Sequence, residues 1–400
     1  MTSDDGRLYE TYRRALRGRR LPAAWVDVDR LRENATALAS RGGGKPIRLA
    51  TKSVRCRALQ RLVLGEFPAF RGLMCFTAGE AAWLAGEGFD DLLVGYPTVD
   101  DGELRAVAEA VARGRRIVLT VDDPAQLDRL QAAAAARGVV LPVCIDVDMS
   151  SSFPGLHFGV RRSPLRDREG VLDLAREVGR RPALRVEGLL GYEAQIAGLP
   201  DAVPGRAVRS ALVRFLKRRS RREVERRRAE VVAALRGEGY ALRFVNGGGT
   251  GSLETTAAEP SVTETTAGSG LYSPTLFDGY AAFRHRPAAG FALPVTRVPA
   301  PGIYTCHGGG YVASGAAGPD KLPRPYLPAG AALLPLEGAG EVQTPVAYRG
   351  PVRLGVGDPL FLRHAKAGEL AERFDRLLLL SGGEVVDEAP TYRGEGKCFL

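Results

Sequence analysis

Long apolar runs are missing from this chain of 400 residues. No stretch reaches the roughly 18 apolar residues that a bilayer-spanning helix needs, so no membrane partner is expected. The opening segment, MTSDDGRLYETYRRALRGRR, lacks an apolar core followed by a small-residue cleavage site. Nothing in it marks a secreted protein, and the cytoplasm is the expected location. Cysteine is sparse as well. The five residues, Cys56, Cys75, Cys144, Cys306 and Cys398, are odd in number, far apart and without a CxxC pair. That excludes a disulfide framework and a thiolate zinc site. No fixed-period repeat, no low-complexity segment and no G-x-G-x-x-G after the first strand is present, and the last of these disfavours a doubly wound dinucleotide-binding sheet.

Positive charge is in excess, but locally. The net charge is +10, and residues 206–228 hold eleven Arg or Lys against two Glu, so this one segment carries +9. Apolar residues recur there at helical spacing (Val208, Leu212 and Phe215, then Val224, Val231 and Leu235), which predicts a surface helix with a solvated basic face. Phe215 is the segment's single aromatic and no nucleic-acid motif is present, so no nucleic-acid partner is expected.

The chain is 45% hydrophobic and 26% charged, as in soluble globular proteins. Its length suits a barrel-sized domain and a smaller second one. From about residue 22 to 275, short aliphatic or β-branched runs alternate with Ala/Leu/Arg stretches of helical period. The runs fall at 47–51, 72–76, 92–95, 117–121, 143–147, 188–192, 242–246 and 262–267, after an entry strand at 25–28. Helices are expected at 78–87, 101–113 and 124–137. Eight such units predict an α/β fold, a (β/α)8 TIM barrel. After about residue 285 the texture turns to Pro- and Gly-punctuated short strands, which reads as a C-terminal β domain. The expected division is an N-terminal extension 1–21, a barrel domain 22–285 and a β domain 286–400.

Barrels of this kind carry their chemistry at the C-terminal ends of strands. Three segments satisfy that rule. PIRLATKSVR ends a strand with Lys52, placing an amine at the barrel mouth; desolvation and nearby Arg55 are expected to lower its pKa and favour a nucleophilic neutral amine. A lysine that has merely reached solvent is the bland alternative. VNGGGTGS ends the next-to-last strand in glycines that let backbone N–H groups approach an anion, with Thr250 or Ser252 adding a hydroxyl. TETTAGSGLYSPTLFD ends the last strand with Gly268, Ser269 and Gly270. Barrel phosphate sites lie after strands seven and eight, so the two loops together imply a phosphorylated ligand.

With LPAAWVDVDRLRENA, RLATKS, the glycine-rich loop, TAGSGLY, HAKAGEL and PTYRGEGKCF in view, the chain resembles the fold-type III pyridoxal phosphate (PLP) enzymes. The likeness is to the D-threonine aldolase and D-serine dehydratase-like branch related to alanine racemase, and to bacterial amino acid deaminase/aldolase proteins. It runs from about residue 20 to the C-terminus and implies an alanine racemase-like fold. By resemblance Lys52 is the lysine that holds PLP covalently, Gly248, Gly249 and Thr250 form the first phosphate loop, and Gly268, Ser269 and Gly270 the second. Tyr192 and Gln195, in GYEAQIAG, fall where the family places side chains against cofactor and substrate, and Arg161 falls in a region that approaches the cofactor. The arginine that partners the pyridine nitrogen in alanine racemases lines up near Thr266, so it is absent here. A homodimer is likewise implied.

The relatives in that branch bind a divalent metal through a His-x-Asp or His-x-Cys pair, and here the place reads His364-Ala365-Lys366. Lysine is a poor ligand while protonated. Either His364 binds metal with another partner, or the Lys366 ammonium replaces the cation; ligand chemistry favours the second. His307, in TCHGGGY, is a further histidine of the same domain, while His157 and His285 read as structural. The implied activity is that of a lyase on a β-hydroxy, D-configured amino acid. It proceeds by Cα–Cβ cleavage or by β-elimination with deamination, with Lys52 or His364 as general acid/base. Two rivals stand. A racemase would need a second base from Tyr304, Tyr311 or Tyr392, and a non-catalytic PLP-binding protein would need no C-terminal domain of this kind.

Overall fold

The short aliphatic runs become strands because their neighbours supply the turns and caps that stop them. In chain order these are β1 (Ala23–Asp27), β2 (Ile47–Ala50), β3 (Phe70–Cys75), β4 (Leu92–Val94), β5 (Ile117–Val121) and β6 (Leu141–Asp146). A small hairpin follows, β7 (Ser151–Phe153) with β8 (Leu156–Phe158), then β9 (Leu184–Gly191), β10 (Phe244–Gly247) and β11 (Glu264–Ala267). The computed structural model describes residues 3–400. Eight strands close a parallel barrel in the order β10-β11-β2-β3-β4-β5-β6-β9, as the alternating pattern predicts. Side chains cap the intervening helices at their first turns. Thr77, Asp100 and Asp167 each accept a backbone N–H, and Asp123 forms a capping box with Gln126. Each such cap contributes about 1 kcal/mol.

Leu93, Val118, Cys144, Leu190 and Phe244 form one buried cluster within the barrel unit. Gly188 is required there, because a Cβ on it would lie 2.3 Å from the Phe244 ring.

The chain forms two compact units, and they do not follow the expected boundaries. One comprises Leu38–Lys52, Val63–Gly268 and Phe399–Leu400; the other takes the described residues up to Ala37 together with Ser53–Leu62 and Ser269–Cys398. The second unit holds β12 (Ala289–Ala300), β13 (Ile303–His307), β14 (Arg324–Leu327), β15 (Ala332–Leu333), β16 (Gln343–Ala347), β17 (Pro359–Arg363), β18 (Arg376–Ser381) and β19 (Glu384–Pro390). Its sheet runs β15-β16-β13-β12-β1-β18-β19, with β17 pairing β12 and β14.

The expected entry strand of the barrel is therefore β1, a central strand of the β unit, antiparallel to β12 and parallel to β18. Burial explains it. Trp25 is fully buried in a cluster with Phe361, Ala292 and Leu378, and the expected N-terminal extension, 1–21, of which residues 1–2 lie outside the described residues, holds the helix Ser3–Ala15, whose Tyr9 and Tyr12 complete that cluster. Tyr12 Oη donates to Asp27 Oδ2 at 2.5 Å and Tyr9 Oη to the Pro359 carbonyl at 3.1 Å. Each buried aromatic of this kind contributes about 1.5–3 kcal/mol, so the helix is held as core.

The basic segment is the helix Ala207–Gly237. The expectation of a uniformly solvated basic face needs correcting. Arg228 is fully buried, Lys217 pairs with Asp201 at 3.0 Å, and it is apolar Val208, Leu212 and Phe215 that are exposed. Among the described residues, no helix is long and apolar enough to cross a membrane.

Candidate active site

Lys52 follows β2 in a single 3-10 turn, Thr51–Ser53. Its Nζ donates to Tyr96 Oη at 2.8 Å and lies 5.3 Å from the centre of that ring. Two expectations about it fail. Lys52 is exposed rather than desolvated, because the strand end opens on the barrel mouth. Arg55 is buried and committed to an ion pair with Glu372 within its own unit.

Tyr96 stands two residues past β4 and is stacked by Arg162, whose guanidinium carbon is 4.8 Å from the ring centre. Arg162 is anchored in turn. Its Nε donates to Asp146 Oδ2 at 2.6 Å and its Nη2 to the Gly95 carbonyl at 2.5 Å. Tyr96 is 40% exposed, and the partial desolvation of its phenol, which raises its pKa, is outweighed by Lys52 and Arg162, so the net shift is downward. Asp146, at the end of β6, is pushed up to about 7 by burial; Arg162 opposes this, and Asp122 and Asp148 add to it. Its other oxygen, Oδ1, is buried without a hydrogen-bond partner. A cavity of about 480 Å³ opens here, lined by Tyr96, Asp122, Asp146, Arg161, Arg162 and Tyr192. Tyr192 and Arg161 thus lie where a ligand would meet them. Gln195 is buried, and its Nε2 donates to the Met149 carbonyl at 2.6 Å and to Ser220 Oγ at 2.8 Å, so its amide nitrogen holds the local chain.

The first glycine loop is built differently from the expected cradle. Gly248 has φ +86°, in the left-handed region. Its N–H donates to Glu193 Oε2 at 3.3 Å, and that of Gly249 to Ser252 Oγ at 3.1 Å, so both point into the protein. Ser252, expected as an anion donor, gives its own proton to Glu193 Oε1 at 2.6 Å, as does Thr256. Beneath them the fully buried Arg228 donates to Glu193 at 2.9 Å and to the Gly191 carbonyl at 2.9 Å, and pairs with Glu259. Gly249 is needed for close packing, because a Cβ there would sit 3.0 Å from Ala197 Cβ and 3.2 Å from the Tyr192 ring. Thr250 is buried at the loop's far side, its carbonyl accepting from Arg41 at 2.6 Å. In the second loop Gly268 and Gly270 are buried. Ser269 begins the one-turn helix Ser269–Tyr272 and its Oγ lies 2.9 Å from Ser53 Oγ. Thr266 donates to Asn246 Oδ1 at 3.0 Å.

In the β unit, His364 is fully buried after β17, with neither ring nitrogen hydrogen-bonded. Burial, with Arg363 adding, lowers its pKa to about 3. His364 therefore stands as neutral imidazole over the physiological range, able to accept a proton but not to give one as imidazolium. Lys366 Nζ lies 3.3 Å from Ser314 Oγ. Among the described residues, no group of three or more His, Cys, Asp or Glu is placed to hold a metal, and His364 with Lys366 does not fit a divalent cation. His307 is exposed. Of the tyrosines a racemase would need, Tyr392 accepts from Gln60 at 2.7 Å and Tyr311 is half-buried, with its enclosed phenol pushed up by desolvation.

The alanine racemase N-terminal domain model matches residues 26–275. The chain belongs to this family. Within it, the chain is similar to the 3-hydroxy-D-aspartate aldolase of Paracoccus denitrificans (strain Pd 1222), 25% identical over 58% of this chain and 54% of that protein. It is 28% identical to the D-threonine aldolase of an Arthrobacter species over 57% of this chain and 55% of that protein. The matched region spans about half the length of these curated relatives. The crystal structure of D-threonine aldolase from Filomicrobium marinum superposes with a TM-score of 0.80 at 20% identity, covering 95% of this chain and 96% of that one. D-threo-3-hydroxyaspartate dehydratase from Delftia sp. HT23 gives 0.74 at 18% identity, covering 94% and 98%. These two likenesses show the alanine racemase-like fold. Aldolases and dehydratases of this family are PLP-dependent in general.

Tyr96, Asp146, Arg162, Glu193 and Arg228 were not among the expected site residues. Tyr96 and Asp146 stand at strand ends, where the barrel rule could have found them. Arg228 was hidden inside a charge run.

Proposed function

We propose that this chain is a PLP-dependent lyase acting on a β-hydroxy amino acid of D configuration, by Cα–Cβ cleavage or by loss of the β-hydroxyl with deamination. The observation that carries the reading is the Lys52 amine at the end of β2, hydrogen-bonded to a tyrosine that lines a cavity of about 480 Å³. The printed activities of the curated relatives support the substrate class. The residues fit the cofactor: an exposed amine, a cavity with one buried carboxylate oxygen unpartnered, and Gly249, whose place a side chain would fill. Lys52 would hold PLP, with Thr250 and Gly268 toward the phosphate and Arg161, Arg162 and Tyr192 around the ring. When bound, PLP supplies an electron sink for charge developing at the substrate's Cα.

The chain's own part is to place and to shield. Lys52 offers an amine within reach of the cavity and is the general base nearest the proposed chemistry. Arg162, fixed by Asp146 and the Gly95 carbonyl, keeps a positive charge at the mouth that favours anionic groups. Gln195 and the Arg228–Glu193 pair hold β9 and the glycine loop in register, so that Tyr192 faces the cavity. No step is assigned to a metal. A homodimer in the cytoplasm is the expected working form.

The deciding experiment reduces the PLP-loaded chain with borohydride and maps the modified peptide. It then offers D- and L-β-hydroxy amino acids and reads aldehyde, keto acid and inverted amino acid. Label on Lys52 with aldehyde or keto acid from the D series is expected. Label elsewhere, or an inverted amino acid as the only product, would overturn the reading.

A further inference from the structure

An amine that forms and releases a covalent bond must lose and regain a proton, because an ammonium has no lone pair to offer. Tyr96 Oη, at 2.8 Å from Lys52 Nζ, is an acceptor placed for that proton. Phenol and ammonium are well matched, with ordinary pKa values of about 10 and 10.4, so transfer between them costs little; a carboxylate acceptor would be mismatched by several units. The surroundings favour the anionic oxygen. Arg162 stacks on the ring at 4.8 Å and is itself tied to Asp146 at 2.6 Å, so its charge stays when the proton moves.

The charged and titratable groups that line the cavity with Tyr96 are Asp122 after β5, Asp146 on β6, Arg161 and Arg162 after β8, and Tyr192 after β9, while Lys52 after β2 meets its hydroxyl. Partial desolvation raises the half-open Tyr96 phenol, Lys52 and Arg162 outweigh it, and Tyr192, raised by burial and by Glu193, does not compete as an acceptor.

We propose that Tyr96 is the proton acceptor and donor for Lys52. In the forward direction an Nζ–H bond of the ammonium breaks, its electron pair stays on nitrogen, and the proton forms an O–H bond with the Tyr96 phenolate. The reverse transfer restores the ammonium. The proposal rests on the reading of Lys52 as the point of covalent attachment, and its test separates the two.

The first measurement needs no cofactor. Ultraviolet difference absorbance follows tyrosinate against pH in the full chain, in Tyr96→Phe and in Lys52→Met. One of the twelve tyrosines is expected to ionise below the rest; that step vanishes in Tyr96→Phe and moves to higher pH in Lys52→Met. Should Tyr96→Phe fail to fold by circular dichroism, Lys52→Met decides alone, since Lys52 is exposed and its loss leaves no hole. The second measurement follows the rate of PLP capture against pH, with a roughly ten-fold or larger slowing and a flattened profile expected in Tyr96→Phe at unchanged final loading. Absence of the early tyrosine step, or capture by Tyr96→Phe at the parent rate and profile, overturns the proposal. A chain that shows the coupled titration but never captures PLP supports the Lys52–Tyr96 pair and sinks the functional reading instead.

Discussion

Two clusters of charge lie in the same barrel unit and are built to opposite ends. Around Arg228, the carboxylate is closed: the guanidinium is fully buried with its Nε unpartnered, both oxygens of Glu193 are taken, and the Gly248 N–H, Ser252 and Thr256 are tied to the same carboxylate. Around Arg162, the guanidinium is equally anchored, yet Asp146 keeps a buried oxygen without a partner, Lys52 is exposed and a cavity lies alongside. A network whose carboxylates are satisfied fixes a backbone. One with unmet groups facing a cavity is poised for a ligand.

The sharpest test of that contrast is Lys52→Ala. Turnover should fall by roughly 10³-fold or more, as when a covalent group is deleted, while the urea midpoint stays put because Lys52 is exposed. A large loss of stability would make Lys52 part of the scaffold and erase the distinction. Arg228→Met should do the reverse, lowering the unfolding free energy by about 3–5 kcal/mol, since Glu193 and Glu259 would be left buried and uncompensated. Urea melts measure it. A melt like that of the parent would mean the closed network is not structural.

Asp146→Asn sharpens the comparison through pH. The folded-state pKa of Asp146 is pushed up to about 7 from an ordinary 3.8, so the folded chain binds its proton more tightly than the unfolded one. The associated stability is complete below about pH 4 and is lost as pH rises through about 7. The variant should flatten that decline in urea titrations run across the window, and an unchanged slope would reject the shift. A smaller effect is expected at Val208, exposed on the basic helix, where Val208→Ser should change stability by no more than about 0.5 kcal/mol. Smallest of all is the response to a chelator: stripping divalent metal should leave turnover unaltered, because His364 and Lys366 do not make a donor set. Loss of turnover restored by added metal would contradict this.

The barrel was legible in the sequence because each strand and each capped helix is a local statement. Thr77, Asp100 and Asp123 announce their helices within a few residues. Lys52 was legible for the same reason, standing at the end of an apolar run. What surrounds it was not, since Tyr96 and Asp146 come from different strand ends and Arg162 from the loop after β8, and they meet only once the barrel closes. The glycine loop misled in a particular way. Glycines permit an N–H to turn outward but do not say which way it turns, and Glu193 draws the first of them inward. The basic run was judged by its average, whereas Arg228 is one residue whose neighbours on other elements take it into the core. The role of β1 was invisible for a related reason, since its partners lie more than 260 residues further along the chain.

That last pairing has a consequence for synthesis. As the chain leaves the ribosome, β1 emerges before either of its partners, with bare hydrogen-bonding groups along both edges and Trp25 uncovered. One edge is met only when β12 appears, and the other only with β18, about 350 residues after β1. A nascent chain that stops short of β18 therefore carries an open strand edge, the kind of surface that chaperones hold and other chains join.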